Sequence, residues 1–66
     1  MITFLVNDMS CGHCVSTITQ ALKNVDPDAE VSIDLSKHLV AIQPQSVDAD
    51  QLRVAIEGAG YTPVAQ

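Results

Sequence analysis

The sequence has little positive charge and few aromatic side chains. Lysine and arginine together number three against eight aspartate and glutamate residues, and there is no tryptophan, one phenylalanine and one tyrosine. The formal net charge of -5 repels phosphate backbones and anionic lipid surfaces. The shortage of aromatic rings also removes the platform on which single-strand binders stack bases. We therefore expect no nucleic-acid partner.

A long hydrophobic run is also missing. The longest uncharged apolar segment near the N-terminus is Ile2–Val6, whereas a membrane-spanning helix needs about 20 apolar residues. No basic flank of the signal-peptide kind accompanies it. We expect a cytoplasmic protein that is not embedded in a membrane. In that compartment the two cysteines should be reduced thiols, which favours metal-binding or reactive chemistry over a structural disulfide.

The chain is short, and we expect residues 1–66 to form a single domain. Hydrophobic residues make up 47% of it and are spread over its length, so a core can form without a covalent bridge. A period of two predicts strands, and spacing of three and four predicts helices. In chain order the pattern predicts a strand over residues 2–6, a helix over 14–25, strands over 31–35 and 40–42, a helix over 49–59 and a strand over 61–65.

Local signals mark the ends of these elements. Proline at position 27 ends the first helix, and Asp48 followed three residues later by Gln51 starts the second. Either Gly58 or Gly60 can supply a left-handed ending to that helix. Pro63 places the last strand at an edge of the sheet, where a missing amide donor does no harm.

The order βαββαβ predicts an α+β, ferredoxin-like open-faced sandwich, with a four-stranded antiparallel sheet and two helices on one face. In that topology three connections meet at one end of the domain. Cys11, Cys14, the turn at Lys37 and His38, and Tyr61 should therefore lie at the same end.

The two cysteines, Cys11 and Cys14, are three positions apart and directly precede the first helix. Thiolates favour soft metals such as Cu(I), zinc and the iron of iron-sulfur clusters. A closed zinc site or a cluster normally takes four ligands, so a single thiol pair suits Cu(I) better. Near a helix start the dipole favours an anion, which should make the Cys14 thiol ionise readily.

The stretch "VNDMSCGHC", followed by an amphipathic helix and by "AIEGAGYTP", resembles the heavy-metal-associated (HMA) domain family. Within it the sequence is most similar to the free-standing bacterial copper chaperones of the CopZ type. The resemblance covers nearly the whole chain. It implies that Cys11 and Cys14 bind Cu(I) and pass it to the metal-binding domain of a copper-transporting P-type ATPase. A copper-bridged homodimer is a further assembly to consider.

The resemblance also suggests roles for the residues around the cysteines. Met9 is expected to pack inward, and Tyr61 to lie close to the segment Met9–Cys14, which we call the metal loop. Ser10 stands where zinc-exporting relatives commonly have an aspartate ligand, which favours Cu(I) over Zn(II). We interpret His13 as a group that tunes the thiolates rather than a ligand. Asp8 replaces a frequent glycine, which changes the expected backbone shape and adds negative charge.

Together these features predict a Cu(I) metallochaperone, a binding and transfer protein without catalytic turnover. Two other functions stay open: the N-terminal metal-binding domain of a copper ATPase, and a dithiol redox protein, since a CxxC pair also marks thioredoxin-like sites. Ag(I), Zn(II) and Hg(II) stay open as alternative metals.

The remaining polar residues receive no ligand role in the single chain. We expect His38 to be a solvated turn residue that shares the metal end and is a candidate contact in a dimer or a partner complex, and Asp26, Asp28, Asp48 and Asp50 to be solvated turn and cap groups. Their spacing does not match a calcium-binding loop.

Overall fold

An antiparallel four-stranded sheet in the order β2-β3-β1-β4 forms one layer of the protein, and two helices form the other. The computed structural model describes residues 1–66. Its elements are β1 (Ile2–Val6), α1 (Gly12–Val25), β2 (Glu30–Asp34), β3 (Leu39–Gln43), α2 (Ala49–Gly58) and β4 (Pro63–Ala65). The predicted ferredoxin-like α+β fold is confirmed. Neither helix has the length and apolar character needed to cross a bilayer.

The core lies between the sheet and the helices. In the sheet, Phe4 of β1 pairs with Val40 of β3, and both side chains are buried. The helices contribute Ile18, Leu22, Leu52 and Ile56, which are fully buried. Full burial of an aliphatic side chain of this size contributes about 1.5–3 kcal/mol. One continuous apolar cluster therefore fixes both helices on the same face of the sheet.

Helix α1 begins earlier than its hydrophobic pattern predicts. It starts at Gly12 rather than at Cys14, and Cys11 is its N-cap, with extended backbone angles of φ -149° and ψ 165°. The backbone amide of Cys14 donates to the Cys11 sulfur over 3.4 Å. A cysteine is not among the usual capping residues, which explains why the pattern places the start too late.

Helix α2 has strong signals at both ends. Asp48 and Gln51 form the predicted capping box. At the other end Gly60, with φ +98°, supplies the left-handed residue. The Tyr61 amide donates to the Ile56 carbonyl and the Gly60 amide to the Glu57 carbonyl, the paired bonds of a Schellman ending. Of the two predicted glycines, Gly60 is therefore the one that ends the helix.

Strand β4 is shorter than predicted. It covers Pro63–Ala65 and pairs only with β1, at the edge of the sheet as predicted, with Pro63 opposite Val6. Tyr61 and Thr62 lie outside it because their amides bond elsewhere, to the Ile56 carbonyl and the Asp8 carboxylate. The strand start is thus displaced by the connection that carries Tyr61.

Asp26 is not the solvated residue that the sequence suggests. It is fully buried at the C-cap of α1. Its carboxylate accepts from the Gln45 amide at 2.7 Å, and from the Ser46 amide and hydroxyl at 3.0 Å each. Hydrogen bonds from the Ser46 and Gln45 amides keep the pKa of Asp26 below its usual value. The side chain therefore joins the end of α1 to the loop before α2.

Candidate metal centre

Cys11 and Cys14 lie side by side where β1 passes into α1. Both are free thiols; Cys11 is exposed and Cys14 is half-buried. Their sulfur atoms are 2.9 Å apart. The separation follows from the helix cap, because Cys11 precedes the helix and Cys14 is its third residue. Two sulfurs so close together can share a single proton. Because metal–sulfur bonds are about 2.3 Å long, a soft cation bound by both would hold the sulfurs farther apart.

The surroundings of Cys14 favour its thiolate form and lower its pKa to about 6. The largest cause is the hydrogen bond from the Cys11 side chain, followed by that from the Tyr61 side chain and from the Ser10 backbone. Partial burial opposes them. Hydrogen bonds to the charged form of an acid lower its pKa. A large fraction of Cys14 is therefore a thiolate near neutral pH.

Tyr61 is the neighbour of this thiolate from the α2–β4 connection. The interaction with Cys14, burial, and the negative charges of Cys14, Cys11 and Asp8 raise the pKa of Tyr61 to about 12. Its hydroxyl is therefore protonated at neutral pH and can donate to sulfur. The Schellman ending of α2 positions this residue, since the Tyr61 amide bonds to the Ile56 carbonyl at 3.3 Å.

Asp8 connects the metal loop to the segment that carries Tyr61. Both of its carboxylate oxygens accept from the Thr62 amide, at 3.2 and 3.1 Å. The sequence predicts only a changed backbone and an added charge at this position. The structure assigns Asp8 a specific contact, which fixes the residue next to Tyr61 against the loop.

Met9 is the buried residue of the loop. Its side chain is fully buried in the core cluster, which confirms that it packs inward. Its amide donates to the Val6 carbonyl at 3.2 Å. The Met9 carbonyl accepts from the His38 ring nitrogen Nδ1 at 2.7 Å. The loop is therefore fixed by packing on one side and by a hydrogen bond on the other.

His13 and Ser10 are exposed residues of the loop region, like Cys11. The imidazole of His13 makes no hydrogen bond with either cysteine sulfur, whereas its carbonyl accepts from the Thr17 hydroxyl at 2.9 Å. Ser10 contributes through its backbone, which lies near the Cys14 sulfur. The structure thus brings Ser10 and Tyr61 to the cysteines by direct contacts, and places His13 only in the first turn of α1.

His38 lies at the end of the domain that the element order predicts, but the sequence does not predict its contact with the metal loop. The expectation of a solvated turn residue is wrong, because His38 is half-buried and contacts the metal loop. Its backbone is left-handed, with φ +56°. Histidine, like asparagine, tolerates this region better than most side chains, but a turn reading "LSKH" gives no signal for a contact 29 residues away.

No group of three or more His, Cys, Asp or Glu side chains in the structure could bind one metal ion. The donors that the fold does bring together are two sulfurs, a set suited to a soft ion of low coordination number. Fold and loop together define a small ferredoxin-like domain that presents a dithiol at one end.

Comparison with known proteins gives the family. The model of the heavy-metal-associated domain matches residues 3–62, and the chain belongs to this family. It is 38% identical over 61 residues to the copper chaperone CopZ of Staphylococcus aureus strain JH9, covering 89% of this chain and 90% of that protein.

Solved structures agree with this assignment. A crystal structure described as a gold binding protein superposes with a TM-score of 0.93 at 32% identity and covers 100% of both chains. The copper chaperone Atx1 from Synechocystis PCC6803, solved as a single-residue variant in its Cu1, trimeric form, superposes with a TM-score of 0.91. Its identity is 35%, over 96% of this chain and 98% of that one.

Proposed function

We propose that this protein is a cytoplasmic Cu(I) metallochaperone that binds its cargo through Cys11 and Cys14. The observation that carries the proposal is the pair of sulfur atoms 2.9 Å apart on an exposed loop, one of them with a pKa of about 6. Membership of the heavy-metal-associated family and the likeness to copper chaperones support it.

The donor set supports a soft monovalent ion over zinc. Two thiolates satisfy Cu(I), whereas a closed zinc site normally takes four ligands. Ser10 supplies no carboxylate beside Cys11, and the Asp8 carboxylate accepts from the Thr62 amide. The likeness to a gold binding protein is consistent with a preference for soft monovalent ions. Ag(I) and Au(I) should therefore compete with Cu(I) more effectively than Zn(II) does.

Four neighbouring residues support the cysteines in this proposal. The Tyr61 hydroxyl stabilises the Cys14 thiolate, and the Ser10 backbone acts on the same sulfur. Met9 anchors the loop in the core. His13, exposed beside the pair, adds a polar ring that tunes the thiolates without binding the metal.

Transfer proceeds by thiolate exchange. A cysteine thiolate of the acceptor bonds to Cu(I), and one bond from copper to Cys11 or Cys14 breaks. A second acceptor thiolate then displaces the other cysteine. Copper stays Cu(I), and no electron moves. The exposed Cys11 sulfur gives an acceptor access. The acceptor we propose is the metal-binding domain of a copper-transporting P-type ATPase; a copper-bridged homodimer is the competing assembly.

A dithiol redox protein is the second candidate, because the same short sulfur separation and low pKa also suit thiol–disulfide exchange. A redox enzyme should catalyse exchange between glutathione and a protein disulfide, whereas a carrier should not. The metal-binding domain of a copper ATPase, which shares this site, is the remaining alternative.

Competition with a coloured Cu(I) chelator tests the proposal. The wild-type protein should remove one copper per chain from the chelator. Either Cys11→Ser or Cys14→Ser should lose at least about a hundredfold in affinity, because one of two metal ligands is gone. Ser16→Ala, an exposed change on α1, is the matched control and should bind like wild type. Retention of copper by the double serine variant would refute the assignment.

A further inference from the structure

We propose that His38 is a positioning residue for the metal loop: its ring donates to the Met9 carbonyl and so sets the approach of the chain to Cys11 and Cys14. The inference rests on the proposed copper-binding function and adds a residue to it. It explains an otherwise isolated feature, a half-buried histidine with left-handed backbone in the β2–β3 turn.

Three hydrogen bonds anchor His38. Its amide donates to the Leu35 carbonyl at 3.3 Å, which closes the turn between the strands. Its carbonyl accepts from the Val6 amide at 2.8 Å, at the last residue of β1. Its ring nitrogen Nδ1 lies 2.7 Å from the Met9 carbonyl oxygen. One residue of the turn therefore contacts the chain on both sides of Asn7 and Asp8.

The acceptor determines which ring nitrogen of His38 carries a proton in the hydrogen bond to Met9. A carbonyl oxygen can only accept, so Nδ1 must carry the proton. This assignment is the same whether Nε2 carries a proton or not. A histidine whose Nδ1 proton is directed at a backbone carbonyl has a fixed ring orientation.

The contact acts on the cysteines through the short segment between Met9 and Cys11. The Met9 side chain is buried in the core, and the Met9 carbonyl accepts a hydrogen bond from the His38 ring. Cys11 follows two residues later as the N-cap of α1, and its sulfur accepts a hydrogen bond from the Cys14 amide. Fixing Met9 reduces the number of loop conformations, so less order has to be gained when copper binds.

Two substitutions separate the effect of the His38 ring hydrogen bond from the effect of its left-handed backbone conformation. His38→Gly and His38→Asn both tolerate a positive φ. Only asparagine retains an N–H donor at the position of Nδ1. Removing an outer hydrogen-bond partner of a metal site typically costs 10- to 100-fold in metal affinity. We expect His38→Gly to bind Cu(I) about tenfold more weakly in chelator competition, and His38→Asn to recover most of that loss.

A readout on the metal-free protein keeps this inference separate from the proposed function. In His38→Gly the amides of residues 9–14 should exchange with solvent faster than in wild type, while those of β3 stay protected. In His38→Asn they should return toward the wild-type rates. In 15N spectra of the wild-type His38 ring, Nδ1 should carry a proton.

The outcomes are distinct. If wild type fails to bind copper, the proposed function is wrong. Amide hydrogen exchange and the 15N spectra of the His38 ring can still confirm the contact with Met9 in that case. If wild type binds copper and all three proteins have equal affinity and equal loop exchange, the positioning role is overturned. A ring proton found only on Nε2 would overturn it as well. Equal losses in the glycine and asparagine variants would also do so, because the donor would then be irrelevant.

Discussion

At the scale of single residues, the chemistry of the site depends on the Cys14 thiolate. Its pKa of about 6 arises chiefly from the Cys11 side chain and next from Tyr61. In the folded protein the stabilisation from this lowered pKa is fully present above the pKa of an unfolded thiol. It is lost as the pH falls through about 6. Copper binding should weaken over the same acidic range, because protons then compete with the metal.

Tyr61→Phe tests the hydroxyl without removing the ring. Losing the donor should raise the pKa of Cys14 from about 6 toward its ordinary value. The thiolate fraction at pH 6 should fall roughly twofold or more. The titration can be followed by the 13Cβ chemical shift of Cys14, with Ser16→Ala as the control. An unchanged titration in Tyr61→Phe would show that the hydroxyl does not act on the thiolate.

The residues of the site differ in how far their positions and contacts can be predicted from the sequence. The end of the domain to which Cys11, Cys14 and Tyr61 belong could be predicted, because chain direction through the βαββαβ order determines it. The side-chain contacts of Asp26 and His38 could not be predicted, since their partners lie 19 and 29 residues away. Nothing local distinguishes a carboxylate or a ring that finds a distant amide or carbonyl from one that faces water.

At the scale of elements, the ends of the helices carry the site. The start of α1 supplies both cysteines, and the end of α2 positions Tyr61. The pattern predicts the end of α2 well because glycine marks a left-handed residue. It predicts the start of α1 less well, because the cap is a thiol and the hydrophobic positions begin only at Cys14.

Gly60→Ala should disturb this end of α2. Gly60 has φ +98°, while a side chain there would meet open space. The cost is therefore conformational, about 1–2 kcal/mol of unfolding free energy, and Tyr61 should shift relative to Cys14. Gly58→Ala is the matched control, since Gly58 is helical and equally open. It should be neutral or stabilising by up to about 1 kcal/mol. Equal effects in denaturant unfolding would contradict the assignment of Gly60 as the left-handed residue.

Asp26→Asn should weaken the link between α1 and the loop before α2. The side-chain NH2 group of the asparagine would face the donors of Gln45 and Ser46. Because these donors then lose acceptors, we expect the melting temperature to fall by about 5–10 °C. Asp28→Asn, an exposed neighbour, should leave it unchanged.

The pH profile gives a second test of Asp26. Since its folded pKa is lowered, its contribution to stability is present above about pH 4 and is lost as the pH falls further. The difference between wild type and Asp26→Asn should shrink in acid. A difference that is constant with pH would contradict a buried, ionised Asp26.

At the scale of the whole molecule, the two cysteines lie outside the buried core, although Met9 of the metal loop belongs to it. The fold could be predicted because its core residues recur with regular spacing along every long element, and the buried cluster contains neither cysteine. The chain should therefore fold without metal, unlike domains whose core is organised by a bound ion.

The double variant Cys11→Ser and Cys14→Ser tests this separation. Serine is a favoured N-cap residue, so the start of α1 should be retained. The metal-free variant should give a well-dispersed 1H–15N spectrum and melt within about 5 °C of metal-free wild type. An unfolded variant would show that the thiols are required for the fold itself.

The central claim is that one copper ion binds between the two sulfurs of Cys11 and Cys14. X-ray absorption at the copper edge, on protein loaded with one Cu(I) per chain under anaerobic conditions, tests it most directly. The account predicts Cu(I) surrounded by sulfur alone, with the same spectrum when His13 is replaced by alanine. Fewer than two sulfur ligands per copper ion would contradict the central claim, and a nitrogen ligand that is lost in His13→Ala would contradict the role given to His13.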